Sequence, residues 1–509
     1  MRIAAPDSSE YDRGQAELVC NGTNDRTIIQ QAFGMENEKV VVSKGTYRAD
    51  KGANSVDDKP YLYPARGVVV QGEGATFIAQ DGICRVMCKK PNAVLSGLTL
   101  QGYIHIQNYE SNQIFKSLKL SNRLYEKRWL DWRTKGGCTG QLQNWTPKGT
   151  TMHSIQIIDC TFEDSYHHGI GFHLSNAQEV GTWKDILISG CTIASPGSGL
   201  ETDKIQGDRD WACGIVVDTG DIENMMVRDT TVTDSWQSAF HTDGSWNGHS
   251  QKVKNLIFEN CTAIGAGKRA GKTPKEMYEA GFYLQDAVLK NCITKDCRVG
   301  YLIGNVNSGG LTMVNCSDTG SDYGAAIEYG GNKAVVSGLT LKDNTIRSLI
   351  VLGQDVKYTG IRVEPAKTMK DRPVLIGRMS KLIYCDSPYH KNDYQRYWNM
   401  RYSVSGRFDI LSPFTQRGDL VEVWDGSTMN WEGFTMTKIP TTGGGAEPVI
   451  ETPPPVPVPS EDLTGRLKVR DMFVWVQDDN GEYIQVKGQI PSHLHKKFRH
   501  EQVFGPVNV

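Results

Sequence analysis

Ile158-Asp159-Cys160-Thr161, Ser189-Gly190-Cys191-Thr192, Arg228-Asp229-Thr230-Thr231, Glu259-Asn260-Cys261-Thr262, Lys290-Asn291-Cys292-Ile293 and Val314-Asn315-Cys316-Ser317 are six versions of one tag. Their third residues lie 31, 39, 31, 31 and 24 positions apart. A constant tag at a variable period reads as a solenoid, one turn of chain per repeat, with insertions at the corners. Each tag closes a short alternating apolar strand, such as Ile155-Gln156-Ile157 or Leu256-Ile257-Phe258; Ile186 and Ile188 fill the same places in the second repeat. Stacked at the roughly 4.8 Å spacing of strands, the third residues form an internal ladder of Cys160, Cys191, Thr230, Cys261, Cys292 and Cys316. It reads first as small buried thiols, ahead of metal ligation or disulfides.

After each tag the pattern suggests a turn and then a second strand: Gly169-Ile170-Gly171-Phe172-His173, Gly214-Ile215-Val216-Val217-Asp218, Ala239-Phe240-His241-Thr242-Asp243, Gly281-Phe282-Tyr283-Leu284-Gln285 and Gly300-Tyr301-Leu302-Ile303-Gly304. The second and fourth positions are nearly all apolar and face inward by alternation, so the third and fifth face out. Outward positions then gather His173, Asp218, His241, Asp243, Tyr283 and Gln285 within a few strand spacings. Neighbouring turns add Asp164, His167, His168, Asp234 and Trp236, and the insertion before Trp211 adds Glu201, Asp203, Asp208 and Asp210.

Three chemistries fit this face. Asp218 and Asp243, one strand apart, approach the roughly 5 to 5.5 Å separation of a retaining glycosidase pair. His241 as base with Tyr283 as acid suits β-elimination or epimerisation of a uronic acid, and His173 joins the catalytic candidates. Clustered carboxylates could take calcium, which wants about six to eight oxygens; no metal ligand set or other cofactor is assigned. A solenoid exterior that is merely wet also carries polar ladders, so catalysis, glycan binding and a plain solvated face all stay open. The segment between Leu100 and Thr151 adds Tyr125, Trp129, Trp132 and Trp145 among Arg123, Lys127, Arg128 and Arg133. Of these Trp129, Trp132 and Arg133, with Asp164, His167, His168 and Trp236, are the substrate-binding candidates, since indoles stack on sugar faces and guanidinium groups pair with carboxylates. Packing against the rod is the plainer role for the insertion.

The whole chain is 509 residues with 53 glycines, 39% hydrophobic residues and a formal net charge of -2. Near-neutrality argues against a nucleic-acid partner, and no apolar run approaches the roughly 20 residues of a membrane span. The beginning, Met1-Arg2-Ile3-Ala4-Ala5-Pro6-Asp7, has no apolar stretch like a signal peptide, which leads to an expectation of delivery on a virus particle. Twelve cysteines without a Cys-x-x-Cys pair do not make a disulfide framework.

Near the start, Asn21-Gly22-Thr23-Asn24-Asp25 is followed by Ile29-Gln30-Gln31-Ala32, then Val40-Val41-Val42 and Gly45-Thr46-Tyr47. This resembles the N-terminal cap of pectate-lyase-like right-handed parallel β-helices, where Asp-Gly-Thr-x-Asp precedes a helix with Ile-Gln-x-Ala and a strand leading to Gly-x-Tyr; Asn21 replaces the usual first Asp. The resemblance implies an all-β right-handed parallel β-helix with an N-terminal capping helix, of the kind found in polysaccharide lyases, hydrolases, epimerases and viral tailspikes. The expected division is cap and first coils 1–90, β-helix 91–360, a small β-rich unit 361–442, a Gly/Pro linker 443–460 and a C-terminal β-hairpin with tail 461–509. The expected function is a virus tail spike or fibre that binds, and in one version depolymerises, a cell-surface polysaccharide; it implies a homotrimer, tail or baseplate partners and a place in the virion tail or outside the cell. The alternatives are a free secreted lyase, glycoside hydrolase or epimerase, and a non-catalytic adhesin.

Overall fold

The computed structural model describes residues 1–23, 25–49, 61–122, 140–146, 149–165, 167–174, 180–198, 212–242, 245–246, 249–269, 279–303, 310–327 and 334–351, and beyond them separate segments as far as Val486. Met1–Ile439 forms one compact unit and Pro440–Val509 another.

The first unit is a right-handed parallel β-helix whose turns each lay one strand on three stacked sheets. The first sheet carries Gln156–Ile158, Thr182–Ser189, Asp221–Arg228, Val253–Glu259, Val288–Lys290 and Thr312–Val314, each hydrogen-bonded in parallel to the next. The third sheet carries Gly140–Thr146, His168–Leu174, Ile215–Val217, Phe240–Thr242, Ala280–Leu284, Val299–Ile303, Tyr323–Ile327 and Arg347–Val351, also in parallel register. Parallel pairing runs on from Leu349 through Val374 to Val421. Between them lies a second sheet, including Thr161–Glu163, Thr192–Ala194, Thr231–Thr233 and Thr262–Ile264. The tag pattern suggests a turn there; instead the tag's last residue begins a three-residue strand, too short for alternation to reveal.

The corners explain the tags. Asp159, Asp229, Asn260, Asn291 and Asn315 all have φ near +50°, as do the second-corner residues Asp164, Asp234, Asp296 and Asp343. That left-handed conformation is costly for most L-residues and cheapest for Gly, Asn and Asp, which is why Gly190 can replace the acid or amide in its coil. The amides also interlock: Asn260 Nδ2 donates to Asp229 Oδ1 at 3.0 Å and Asn291 Nδ2 to Asn260 Oδ1 at 3.2 Å.

One residue past that corner the expected thiol ladder lies in the core: Cys160, Cys191, Cys261, Cys292 and Cys316 are buried and unbridged. Each thiol donates to backbone carbonyls, as Cys261 does to Val227 at 3.3 Å. Burial pushes Cys88 and Cys297 up to about 12, so both stay protonated at neutral pH. Inward aromatics stack coil on coil, Phe240 on Phe282 at 4.5 Å and Phe282 on Tyr301 at 5.4 Å. Fully burying each such ring contributes about 1.5–3 kcal/mol.

At the N-terminus, helix Asp25–Phe33 buries Ile29, Ala32 and Phe33. Asp25 is itself buried because its carboxylate accepts three backbone amides: Asn21 (3.1 Å), Gly22 (2.7 Å) and Arg48 (2.9 Å). Asn21 Oδ1 accepts from the Thr23 amide and hydroxyl at 2.9 and 2.7 Å; this position needs only an acceptor, and an amide supplies it as an acid does. The second unit holds an antiparallel sheet of Leu467–Arg470, Phe473–Gln477 and Tyr483–Val486, one strand more than the hairpin its sequence suggests.

Candidate functional site on the third sheet

The third sheet has the register that the aligned strands imply. Ile170, Ile215, Phe240, Phe282 and Tyr301 pair in succession, and all lie in the core. One residue further on, Gln143, Gly171, Val216, His241 and Tyr283 form an outward row. Two residues beyond that, Trp145 pairs with His173 and the row continues to Asp218.

His173 Nδ1 and Asp218 Oδ2 are 2.8 Å apart. A carboxylate only accepts, so the imidazole N–H donates and one carboxylate oxygen is held in place. The Asp218 side chain is 24% exposed and that of His173 7%, so the acid meets solvent while the imidazole backs it. The His173 ring lies 5.0 Å from Trp145 and 5.7 Å from His168. It fits only because residue 171 is glycine: a Cβ there would stand 2.4 Å from His173 Nε2 and 2.5 Å from Gln143 Oε1. The Trp145 Nε1 and His173 Nε2 atoms are buried and have no hydrogen-bond partner among the described residues.

His241 and His168 are held neutral by burial. Burial pulls His241 down to about 4 against the opposing pull of Asp218, and its ring meets Tyr283 edge-on at 4.6 Å. Burial, with His173, His167 and His241 nearby, keeps His168 well below the usual imidazole range, and its Nδ1 accepts the Cys213 amide at 3.1 Å. His168 is therefore a buried strut beneath the face. His167 packs against it at 5.7 Å.

The remaining candidates divide by position. Asp164 and Trp236 stand at the corner entering the third sheet, where Trp236 N donates to Pro196 O at 3.0 Å; His173 and Asp218 stand at the strand ends leaving it. Asp243, Trp129, Trp132, Arg133, Glu201, Asp203, Asp208 and Asp210 lie outside the described residues. The sequence reading left out Gln143 and the need for Gly171; both could have been found by carrying the alignment one strand further back, to Leu142-Gln143-Asn144-Trp145. Among the described residues no three His, Cys, Asp or Glu side chains converge as a cation site. No described helix is long and apolar enough to cross a membrane.

Residues 148–346 match the family described as the right handed beta helix region. No curated protein matches the chain in sequence. Solved structures similar to it include an endo-xylogalacturonan hydrolase from Aspergillus tubingensis (8% identity, TM-score 0.34, covering 83% of this chain and 95% of that one). A tailspike protein mutant of E. coli bacteriophage HK620 in complex with a pentasaccharide is 12% identical at TM-score 0.30, over 78% of this chain and 63% of that one. The mannuronan C-5 epimerase AlgE6 A-module of Azotobacter vinelandii is 10% identical at TM-score 0.31, over 78% and 97%. At these identities the likeness is one of fold.

Proposed function

We propose that the chain binds an extended polysaccharide on the outward face of its third sheet and cleaves it, with Asp218 as the reacting carboxylate. The observation that carries this reading is the His173–Asp218 hydrogen bond of 2.8 Å. It fixes Oδ2 of a solvent-reaching acid in the same outward row as an indole, with His173 between them, leaving Oδ1 to meet a glycosidic oxygen or a water while Trp145 offers a face to a pyranose. His173 then acts as a positioning residue. Hydrolysis needs a second carboxyl group, and Asp243, which the sequence alignment of the strands sets beside Asp218 and which lies outside the described residues, takes that role in this proposal. No cofactor is required.

A second reading rests on the His241–Tyr283 pair. A neutral imidazole against a phenol suits proton abstraction beside a uronate carboxyl group, giving a lyase or epimerase. The setting proposed for either chemistry is a homotrimeric virus tail spike or fibre acting on a host-surface polysaccharide, with tail or baseplate proteins as partners. The separate antiparallel unit near the C-terminus suits assembly, and light scattering of the purified chain tests it: a trimer supports the tail-fibre setting and a monomer supports a free extracellular enzyme.

For the chemistry, a panel of acidic and neutral polysaccharides is incubated with the wild type, Asp218→Asn, Asp243→Asn, His241→Ala and Tyr283→Phe. New reducing ends without ultraviolet absorbance, lost in both aspartate variants, support hydrolysis. Absorbing unsaturated ends, lost in the His241 and Tyr283 variants, support elimination. An Asp218→Asn protein as active as wild type would sink the leading assignment.

A further inference from the structure

The first sheet carries a solvent-facing row that its strands do not need. Inward, Ile157, Ile188, Val227, Phe258 and Leu289 enter the core. One residue earlier in each strand an outward row runs in register from Ile114 through Leu187, Met226, Ile257 and Val288 to Val335, interrupted only by Gln156 and Thr312. None of its members is buried, and Val335 is 36% exposed. Strand propensity does not demand aliphatic residues there: on the second sheet Thr161, Thr192, Thr231 and Thr262 fill an outward row, and threonine offers a strand the same branching while bonding to water. From Ile114 to Val335 the ridge extends about 34 Å at the strand spacing of a sheet. A continuous exposed aliphatic surface of that length marks an interface.

The charged rows beside the ridge point to what covers it. On one flank Lys184 and Lys254 pair with Glu223 at 3.5 and 3.2 Å; on the other, Arg228 and Glu259 are neighbours in register. Each strand therefore has opposite charges at its two edges, Glu223 and Arg228 in one coil, Lys254 and Glu259 in the next. Asn224 and Asn255, with φ of 56° and 60°, bend these strands toward the core, so Glu223 and Lys254 sit on a flank that slopes back from the ridge. A ridge with a sloping flank fits copies gathered round an axis parallel to the rod. At equal heights each chain's Arg228 and Glu259 then meet Glu223 and Lys254 of the next copy. Sliding one coil in either direction sets Arg228 against Lys184 or Lys254 instead, so the charges fix the register.

We propose that the aliphatic ridge of the first sheet is where further copies of this chain dock, parallel and in step, about an axis running along the rod. The ridge with its edges measures roughly 34 by 15 Å, about 500 Å² per copy, against the roughly 800 Å² that each partner of a standard interface buries. Association through it is therefore concentration-dependent, and a closed ring, in which every chain has two neighbours, adds the sloping flanks to the contact. This names the surface for the homotrimer proposed above and rests on that reading for the number of copies.

The test is sedimentation velocity of the full chain over a range of concentrations. The wild type is expected to self-associate. Met226→Asp and Ile257→Lys are each expected to weaken association about ten-fold or more with unchanged circular dichroism, since both side chains face outward. Arg228→Ala and Glu223→Ala are each expected to weaken it about two- to five-fold, and the double change no more than either alone; Glu259→Ala and Lys254→Ala should behave the same way. The members of each pair stand on opposite flanks of one chain, so coupling between them reads the contact between copies. Additive losses in either cycle overturn the parallel, in-step register. Assembly that withstands both Met226→Asp and Ile257→Lys overturns the ridge and leaves the homotrimeric setting standing. A dimer that these two changes dissociate supports the ridge and overturns the trimer. A wild type that stays monomeric overturns both, and the Asp218 assignment is independent of every one of these results.

Discussion

Replacing Asp318 with Asn is expected to make the rod more stable at alkaline pH and to flatten its pH dependence. Asp318 is the middle residue of strand Ser317–Thr319 and points inward, in a row otherwise filled by Phe162, Ile193, Val232, Ala263, Thr294 and Leu341. Burial raises its pKa to about 7, although Ser321, Thr294 and Asn344 all donate to it. In an unfolded chain the same group titrates near 3.9. The folded state thus holds its proton more tightly than the unfolded one. The resulting contribution to stability is complete below about pH 3.9, and it is lost as pH rises through about 7. The whole loss is roughly 4 kcal/mol, of which roughly 3 falls between pH 4.5 and 8. An amide cannot ionise, and Asn344 Oδ1, buried without a partner among the described residues, can accept its N–H after a flip of the Asn344 side chain. Denaturant midpoints of wild type and Asp318→Asn at several pH values give the comparison: the difference between them should grow by about that 3 kcal/mol from pH 4.5 to 8. A difference that does not change with pH would refute the argument.

Gly171→Ala should push the His173 ring off Asp218, lowering glycan binding or turnover about ten-fold, equivalent to about 1.4 kcal/mol, while far-ultraviolet circular dichroism and the melting temperature change little; unaltered activity would mean that the pair tolerates displacement. Asp25→Ala strips three amides of their acceptor and should cost about 2–4 kcal/mol in denaturant unfolding, with limited proteolysis beginning at the cap. Cys261→Thr, which repeats what Thr230 already does one coil earlier, should cost under about 1.5 kcal/mol, whereas Cys261→Leu overpacks the ladder and should cost about 1–3 kcal/mol. Equal melting temperatures for the two cysteine variants would show the ladder to be loosely packed.

The fold was legible because a solenoid repeats its constraints. Every first corner needs a left-handed residue, and six successive coils place a small residue just after it, so Asp159-Cys160 and its successors printed the period into the chain. Alternation in the third-sheet strands gave the register that brings His241 beside Tyr283. The second sheet was invisible because three residues carry one inward side chain, and in Ser317–Thr319 that side chain is an aspartate. His168 read as part of the face because its identity is that of a ligand-binding residue. What decides its role is burial and the bond from the Cys213 amide, which come from the neighbouring coil 45 residues away. The second apolar cluster beyond Tyr283 was equally hidden, since Leu302 and Ile350 satisfy an apolar pattern whichever way they face.

The fixed corners carry an evolutionary consequence. One left-handed residue per turn is all that the first corner demands, and the spacing between tags still varies from 24 to 39 residues without disturbing strand register. Length is therefore free to accumulate between strands, beside the face that holds Asp218, while the rod keeps its pitch. A lineage could exchange such segments with another solenoid by recombination at the corners and acquire a new sugar preference in a single step, the sheets serving as a ruler that no exchange has to redraw.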